Sequence, residues 1–468
     1  MSEHNLRKDE NTSAPEQNNE VTRDNALFIS KWKVKTGEML EFPIQGREGE
    51  IVIDWGDGSS DVINAGDDAY ISHQYRRRGI YTIKVDGTIT QWSCDLHDND
   101  EDNSMNSRKL IEILSYGKTS FGPYAFSCAC NLVALPEGES PRFFENRMVG
   151  VFHKALSFNQ SIQHWDTLSI TDMSRMFSCA ESFNQPLNDW DTSNVTNMSE
   201  MFWGAESFNQ PLDNWDISNV TNMSHMFSFT KSFNQPLDKW NTSNVTNMSS
   251  VFHDAKSFNQ PLDKWNTSNV EDMSSMFSSA KSFNQPINDW NTSNVTDMSG
   301  MFDNAKSFNQ PLNDWDTSNV NDMSKMFYEA RTFNQPLDNW DTSSVTGMSG
   351  MFENAESFNQ PINDWDTSSV TNMSSMFECA ECFNHPLGNW DTSNVTNMSE
   401  VFAGAKAFNQ PLNDWNTSNV IDMSEMFLGA ESFNQPLDKW DTSNVTDMCD
   451  MFENSGLDID NYRTFLKE

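Results

Sequence analysis

Apolar and polar positions recur along this chain with a fixed period of 25 residues. Between Ser157 and Met451 the same block is repeated twelve times without an insertion or a deletion. Every copy has a tryptophan in the same slot, from Trp165 to Trp440, and the Met slot and the Phe-Asn pair are equally constant. Such a period is typical of stacked units, because one unit cannot bury its apolar face alone. The pattern therefore predicts a repeat solenoid.

Each copy contains short candidate elements. Residues 195–198 are β-prone and follow a corner at 191–194, where short polar side chains can bond their own backbone. Residues 201–205 have the spacing of a helical turn, which Pro211 ends because proline cannot continue a helix. Residues 212–215 form a second extended piece. We expect short β-strands plus a short helical turn per 25-residue coil, with the Trp, Phe, Met and Ala slots stacked into buried ladders.

The rest of the chain divides into four further segments. Residues 1–24 are polar and lack aromatic side chains, which predicts a disordered tail. Residues 25–86 contain short β-like runs around an Asp-Gly turn, which predicts a small all-β sandwich. Residues 87–150 are expected to form an N-terminal cap for a twelve-repeat solenoid at 151–455. Residues 456–468 are expected to form a C-terminal helical cap, because an end repeat must turn one face to water.

The repeat motif Phe-Asn-Gln-Pro-Leu-x-x-Trp-Asp-Thr-Ser-x-Val-Thr-x-Met-Ser-x-Met-Phe-x-x-Ala resembles the BspA-like bacterial surface protein repeat, a relative of leucine-rich repeats. The runs at 54–59 and 73–81 resemble a PKD-like module. The resemblance implies an LRR-like solenoid behind a PKD-like β-sandwich. It also implies a protein at the cell surface or secreted, with a role in adhesion. No Sec-type signal peptide is recognisable at Met1, so a cytoplasmic location is the alternative.

Charge narrows the choice of partners. Lys and Arg number 30 against 68 Asp and Glu, which gives a formal net charge of −38. Such a chain repels phosphate groups, so nucleic acid and anionic lipid are not expected partners. It has no run of apolar residues long enough to predict membrane insertion. A protein or a glycan remains the expected partner, and the oligomeric state is not predicted.

No motif for nucleotide binding, zinc proteolysis or serine hydrolysis is present, so we expect no enzyme, no catalytic residue and no cofactor. Cys379 and Cys382 have zinc-like spacing, but His385 alone cannot complete a metal site. The seven cysteines are therefore expected to be reduced thiols, which favours a reducing compartment. Asp54 and Asp57 could ligate calcium, but a turn-forming role is favoured and no metal is predicted.

Variable slots must be exposed, and one of them carries a row of cations. This candidate partner-binding stripe consists of Lys231, Lys256, Lys281, Lys306 and Arg331. Stacked like charges repel one another, so either neighbouring acids or an acidic partner must offset them. Neighbouring acids such as Asp254, Asp303 and Glu329 are the favoured explanation. If they do so, other variable slots are better candidates for binding: Trp203, Phe229, Tyr328 and Leu428.

These observations favour a non-enzymatic binding or adhesion protein that presents an extended surface. An intracellular scaffold or structural protein is the alternative, as is an exported effector. A third hypothesis, a crystal-surface binder that uses the Thr192-type ladder, is disfavoured because Ile217 interrupts that ladder.

Overall fold

A computed structural model describes residues 27–66, 70–94 and 104–457 of the chain. The regular elements all lie before the repeats, and they begin with strands that alternate buried and exposed side chains. They are β1 Phe28–Val34, β2 Met39–Glu41, β3 Ile44–Asp54, β4 Ser60–Ile63, β5 Ser72–Gln74, β6 Gly79–Trp92, α1 Ser104–Ser107, β7 Leu110–Ser115, β8 Thr119–Phe121, β9 Arg142–Phe143 and a 3₁₀ turn Phe144–Asn146.

Most of these strands form one sheet. Its antiparallel part has the order β4-β3-β6-β1-β7, and β8 then pairs with β6 and with β9 in parallel. A two-stranded sheet, β2-β5, packs with it through aromatic side chains. Trp92 is fully buried and its ring lies 4.6 Å from that of Phe28 and 5.2 Å from that of Phe42. The expectation of an all-β module before the repeats is confirmed.

The expected boundary between residues 86 and 87 falls inside β6, which continues to Trp92. β7, from the expected cap, pairs with β1 of the β module. The indole Nε1 of Trp92 donates a hydrogen bond of 3.1 Å to the carbonyl oxygen of Ala125. One hydrophobic core runs without interruption from Phe28 to Met451. The segment 87–150 therefore joins the β module to the repeats instead of standing as a separate cap.

Each repeat is bonded to the next by a parallel bridge between residues 25 positions apart. The series runs from Arg147↔Asp172 to Asp422↔Asp447. In one such pair, the N–H of Thr196 donates to the oxygen of Thr171, and the N–H of Met173 donates to the oxygen of Asn197. The repeats thus stack in sequence order, each against its two neighbours.

The prediction of a helical turn in each repeat is wrong. In residues 173–179 every second N–H bonds a carbonyl in the next repeat, as from Phe177 to Met201 at 2.8 Å. Of the N–H groups between them, those of Met176 and Ser178 bond the carbonyl three residues back, and that of Ser174 bonds the Asp172 side chain. Arg175 and Cys179 also have positive φ, which a right-handed helix excludes. Bonds between repeats therefore replace the i→i−4 bonds of a helix.

The second extended piece is also wrong, since residues 212–215 form a turn in which the N–H of Trp215 donates to the oxygen of Leu212. The buried ladders are confirmed. Trp215 and Trp240 stack in parallel at 6.4 Å, and Phe202 and Phe227 stack at 5.7 Å. The Thr192-type residues also lie inside, where Thr192 is 1% exposed.

At the C-terminal end of the stack, Met448 has no following repeat and is 39% exposed. Leu457 packs partly buried against the core, but the rest of the expected helical cap, 458–468, lies outside the described residues. The expected disordered tail at 1–24 lies outside them as well. Among the helices that the structure describes, none has the length and apolarity that crossing a bilayer requires.

Candidate binding surfaces

The first candidate surface is a concavity beside the parallel bridges, which we call the polar groove. It has a volume of about 720 Å³ and takes side chains from five successive repeats. All of its lining residues are polar, and they are Asn244, Thr246, Asn269, Glu271, Asn294, Thr296, Asn319, Asn321 and Ser344.

Hydrogen bonds within the stack hold the groove side chains in place. The Nδ2 of Asn294 donates to the carbonyl oxygen of Ser268 in the preceding repeat at 2.7 Å. The hydroxyl of Thr296 donates to the carbonyl oxygen of Glu271 at 3.2 Å. The asparagine bond recurs at Asn269 and Asn319 in the adjacent repeats, and the threonine bond recurs at Thr246, so the groove presents similar groups at a regular spacing. A ligand would meet side chains that are already ordered, which lowers the entropic cost of binding.

The spacing between equivalent groups differs around each repeat. Parallel strands lie about 4.8 Å apart where they bond, which is the groove side. Equivalent Phe rings lie 5.7 Å apart at Phe202 and Phe227, and the Trp rings 6.4 Å apart at Trp215 and Trp240. The aromatic rings of neighbouring repeats are therefore spaced more widely than bonded strands are.

The groove is not evident from the sequence alone. Within one copy, residues such as Asn244 and Thr246 have the pattern of an ordinary polar corner followed by a strand. One signal was available in the sequence. The slot of Asn244 holds Asn or Ser in every copy, and the slot of Thr246 holds Thr in most copies, although both are exposed. An exposed slot without a role is free to vary.

Four of the five cations in the predicted stripe are paired with carboxylates. Lys231 Nζ pairs with Glu206, and Lys256 Nζ lies 3.2 Å from Asp254. The Glu329 carboxylate lies 3.7 Å from Lys306 Nζ and 3.9 Å from Arg331, and Arg331 also contacts Glu356 at 3.1 Å. Within the described part of the chain, Lys281 has no carboxylate within 4.0 Å. Neighbouring acids thus offset most of the stripe.

Asp303 is another acid expected to neutralise the stripe. It lies one slot away from the position that Asp254 and Glu329 occupy in their repeats. Burial raises the pKa of the Asp303 carboxyl to about 6, and nearby Lys325 opposes that shift. Its partner is the hydroxyl of Ser278, which donates at 3.5 Å. Asp303 therefore contributes less negative charge near neutral pH than an ordinary aspartate.

The variable slots bring aromatic side chains together. Trp203 and Phe229 contact edge to face with ring centroids 5.5 Å apart, and Phe229 lies 4.9 Å from His253 in the same geometry. Trp203 and Phe229 are both half-buried. Farther along the same row, the ammonium of Lys325 lies 5.5 Å from the centre of the Tyr328 ring. The sequence identified these slots as variable but could not show that their side chains contact one another between adjacent repeats.

In the two repeats after Tyr328, the slot that Tyr328 occupies holds half-buried glutamates, Glu353 and Glu378. Burial raises the pKa of Glu353 to about 7, and the neighbouring charge of Glu378 adds to that shift. Burial also raises the pKa of Glu378, against a hydrogen bond from Ser375, with Glu400 close by. Among the described residues, no group of three or more His, Cys, Asp or Glu side chains is arranged so that it could hold a metal ion.

Asp54 and Asp57 hold a turn. The Oδ1 of Asp54 accepts the N–H of Gly56 at 2.9 Å, and the Oδ1 of Asp57 accepts the N–H of Ser59 at 3.0 Å. Hydrogen bonding by the Ser59 hydroxyl lowers the pKa of Asp57 to about 2, with a smaller contribution from His73. The favoured turn-forming role therefore matches the geometry.

All seven cysteines are free thiols. Burial raises the pKa of Cys379, whereas Cys382 is exposed. A raised thiol pKa reduces the thiolate fraction, which makes Cys379 a poor nucleophile at neutral pH.

The repeats match the model of one known protein family. A family model described as a Mycoplasma protein of unknown function, DUF285, matches residues 146–238, 211–312, 300–392 and 356–462. Together these overlapping matches cover more than half of the chain. No curated protein matches it, and neither does any solved structure.

Proposed function

Because the chain belongs to the DUF285 family of unknown function, its role has to be inferred from its own surface, and we propose that it is a non-enzymatic binding protein. In this proposal the stacked repeats form an LRR-like solenoid that presents the polar groove and holds a linear protein or glycan segment there. The observation that carries the proposal is the groove itself, where five repeats present ordered polar side chains in register.

Two further features support a binding role. The buried ladders use the same residues in every repeat, so binding specificity is left to the exposed slots. The groove lining is polar and has a single carboxylate, Glu271, which suits a partner that offers hydrogen-bonding groups along its length. Extended concave surfaces of this kind are how repeat proteins bind partners.

We further propose that the protein acts in adhesion at the cell surface or after secretion, in line with its resemblance to BspA-like repeats and with a PKD-like module ahead of them. The seven free thiols favour the alternative, an intracellular scaffold or an exported effector. Cell fractionation combined with surface protease shaving separates these two locations. Cleavage of the chain on intact cells would support adhesion, and protection until lysis would support the scaffold.

The groove is tested by blocking it with larger side chains. Thr246 and Thr296 are exposed, and the same slot already accepts Glu271 and Asn321, so Thr246→Arg with Thr296→Arg should fold. The matched control adds the same two arginines at the exposed Asn339 and Asn389, away from the groove.

The full-length proteins would be applied to a printed array of soluble glycans and extracellular-matrix proteins. We expect any bound probe to lose about tenfold or more in affinity with the groove variant, because several ordered hydrogen bonds are blocked. The control should bind as the parent does. Equal binding by the groove variant and the parent would contradict the groove as the binding surface.

A further inference from the structure

A second concavity lies in the β module, about 670 Å³ in volume, and we call it the basic cleft. It forms where β1 ends and β6 and β7 begin, so three neighbouring strands contribute to it. Its lining contains five cations and one carboxylate, Glu38. The cations are Lys33, Lys35, Arg78, Arg108 and Lys109.

Backbone pairing forces these cations together. In the ladder Lys33 pairs with Ile80 of β6 on one side, and its N–H donates to the oxygen of Lys109 at 2.7 Å on the other. Arg108 directly precedes Lys109, and Arg78 lies two residues before Ile80. Like charges on adjacent strands destabilise a sheet, so such an arrangement carries a cost unless an anion offsets it.

The protein's own acids offset only one of the five. Lys109 Nζ lies 3.7 Å from the Glu38 carboxylate, and it also donates to the oxygen of Met39 at 2.8 Å. In the described ranges no carboxylate lies within 4.0 Å of the side-chain nitrogens of Lys33, Lys35, Arg78 or Arg108. The Glu38 carboxylate also accepts the backbone N–H of Lys35, at 2.6 Å. Four such cations in one cleft are unusual in a chain with more than twice as many acids as bases.

The cleft also has an apolar wall. Ile80 is 62% exposed, although Ile29 and Ile83 on the same pair of strands are buried. Val34 lies buried beside it in the lining. A ligand that fits must therefore bring negative charge for the cations and an aliphatic group for Ile80.

We propose that the basic cleft binds a short acidic peptide segment of a partner protein, with its carboxylates on Arg78, Arg108, Lys33 and Lys35 and an aliphatic side chain against Ile80. Guanidinium groups bind carboxylates in a two-point geometry that fixes the segment's orientation. This site is separate from the polar groove, so it adds a second point of attachment.

A short segment fits better than a long polyanion. Nucleic acid or a sulfated polysaccharide would extend beyond the cleft over a chain whose net charge is −38. Charges within about 10 Å are not fully screened at 0.1 M salt, so a polymer long enough to reach the acidic repeats would be repelled there. A peptide of a few residues places its charge only where the cations lie.

Binding would be measured by fluorescence anisotropy with the full-length protein. The probe is a labelled, end-blocked peptide, Asp-Glu-Ile-Asp-Glu-Leu-Asp, and its neutral counterpart replaces every Asp by Asn and every Glu by Gln. The test variant is Arg78→Glu with Arg108→Glu. The matched control makes the same charge change at the exposed Lys84 and Lys118, which lie outside the cleft.

We expect the acidic peptide to bind at low ionic strength and to weaken in about 1 M salt, where the screening length is roughly 3 Å. The cleft variant should bind it about tenfold or more weakly, and the control within about threefold of the parent. Ile80→Ser should reduce the affinity for the acidic peptide and leave its salt dependence unchanged. The neutral peptide should not bind.

Three outcomes would overturn the proposal. They are equal affinity of the parent and the cleft variant, equal affinity of the acidic and neutral peptides, and displacement of the peptide by a short DNA duplex at lower concentration than by unlabelled peptide. Circular dichroism and thermal unfolding of the cleft variant show whether a loss of binding reflects a loss of fold. None of these substitutions lies in the polar groove, so a failure of this proposal leaves the proposed role of the groove untouched.

Discussion

The tryptophan in each repeat is held by packing and by hydrogen bonding together. Trp290 is 3% exposed, and its ring stacks on Trp265 and Trp315, each at 6.5 Å. Its Nε1 donates to the oxygen of Leu262 in the preceding repeat at 2.9 Å. A smaller residue would leave a void, and a Phe or Leu would leave that carbonyl without its donor. This dual requirement explains why no other residue occupies the slot.

Trp290→Ala should therefore cost on the order of 3 to 5 kcal/mol in the free energy of unfolding, as large-to-small core changes do. Since repeats contact mainly their neighbours, the damage should be local before it is global. Chemical denaturation gives the loss, and limited proteolysis followed by mass spectrometry should find the first cleavage near that repeat.

The control for Trp290 is Trp203→Ala, which removes a tryptophan of the same size from a half-buried, variable slot. That slot holds Ser178, Ala403 and Leu428 in other repeats, so the substitution should cost about 1 kcal/mol or less. Equal losses for Trp203 and Trp290, or first cleavage only in the β module, would contradict the role of the Trp ladder.

Residue burial in the repeats could be predicted from sequence because an invariant apolar slot within one chain has the same surroundings in every copy. The hydrogen-bond partners of the repeat residues could not be predicted from sequence. The acceptor for Trp290 lies 28 residues away, and the Oδ1 of Asn259 accepts the N–H of Asn284 from the next repeat. Such bonds depend on how the repeats align in space, and that alignment is not expressed in the spacing of residues within one copy.

At the scale of one element, competition for backbone N–H groups decides the structure. The Met-Phe-x-x-Ala segment has helical spacing, yet its N–H groups bond the next repeat. Residues at two slots, one just before this segment and one within it, adopt positive φ, as Ser275 does at 54° and Ser279 at 58°. Glycines at 204, 300, 350, 404 and 429 were the available signal, since glycine adopts this conformation without steric cost. The helix prediction gave too much weight to the apolar period.

The same segment holds Glu353, whose burial raises its pKa to about 7 from an ordinary value of 4.5. A raised folded-state pKa means that the folded state holds its proton more tightly than the unfolded state does. This group therefore favours folding most at low pH, and its contribution falls as the pH rises from about 4.5 through about 7.

Glu353→Gln should remove that dependence. We expect the variant to be more stable than the parent above pH 7, by less than about 1 kcal/mol because the group is half-exposed and screened by water. At the acidic end of the range the two should converge. Thermal unfolding across this pH range measures the difference. Glu431→Gln makes the same change at an exposed slot, and an identical pH response in both variants would show that Glu353 is not the group responsible.

At the scale of the whole molecule, the repeats and the β module share one core, and stability passes from neighbour to neighbour. The twelve copies without an insertion predict a continuous stack from about Ser157 to Phe452. The bridges between residues 25 apart agree with it at every repeat. What the sequence did not reveal is the polar groove, because its lining comes from five repeats that meet only in the folded chain.

If the repeats stack in register, their number should be adjustable in steps of 25 residues. Deleting residues 257–356 removes four complete repeats and joins Lys256 to Ser357, which restores the same Lys-Ser-Phe junction as Lys256-Ser257. The shortened chain should fold, and its maximum dimension in small-angle scattering should fall by about 20 Å, since each strand spacing is about 4.8 Å. Deleting 257–368 instead removes four and a half repeats, so each later residue faces the wrong slot. That chain should lose cooperative unfolding, because the two blocks of repeats are out of register at the junction and cannot continue each other's ladders. A compact, globular scattering profile for the parent, or equal stability of the two deletions, would contradict a stack built on exact repetition.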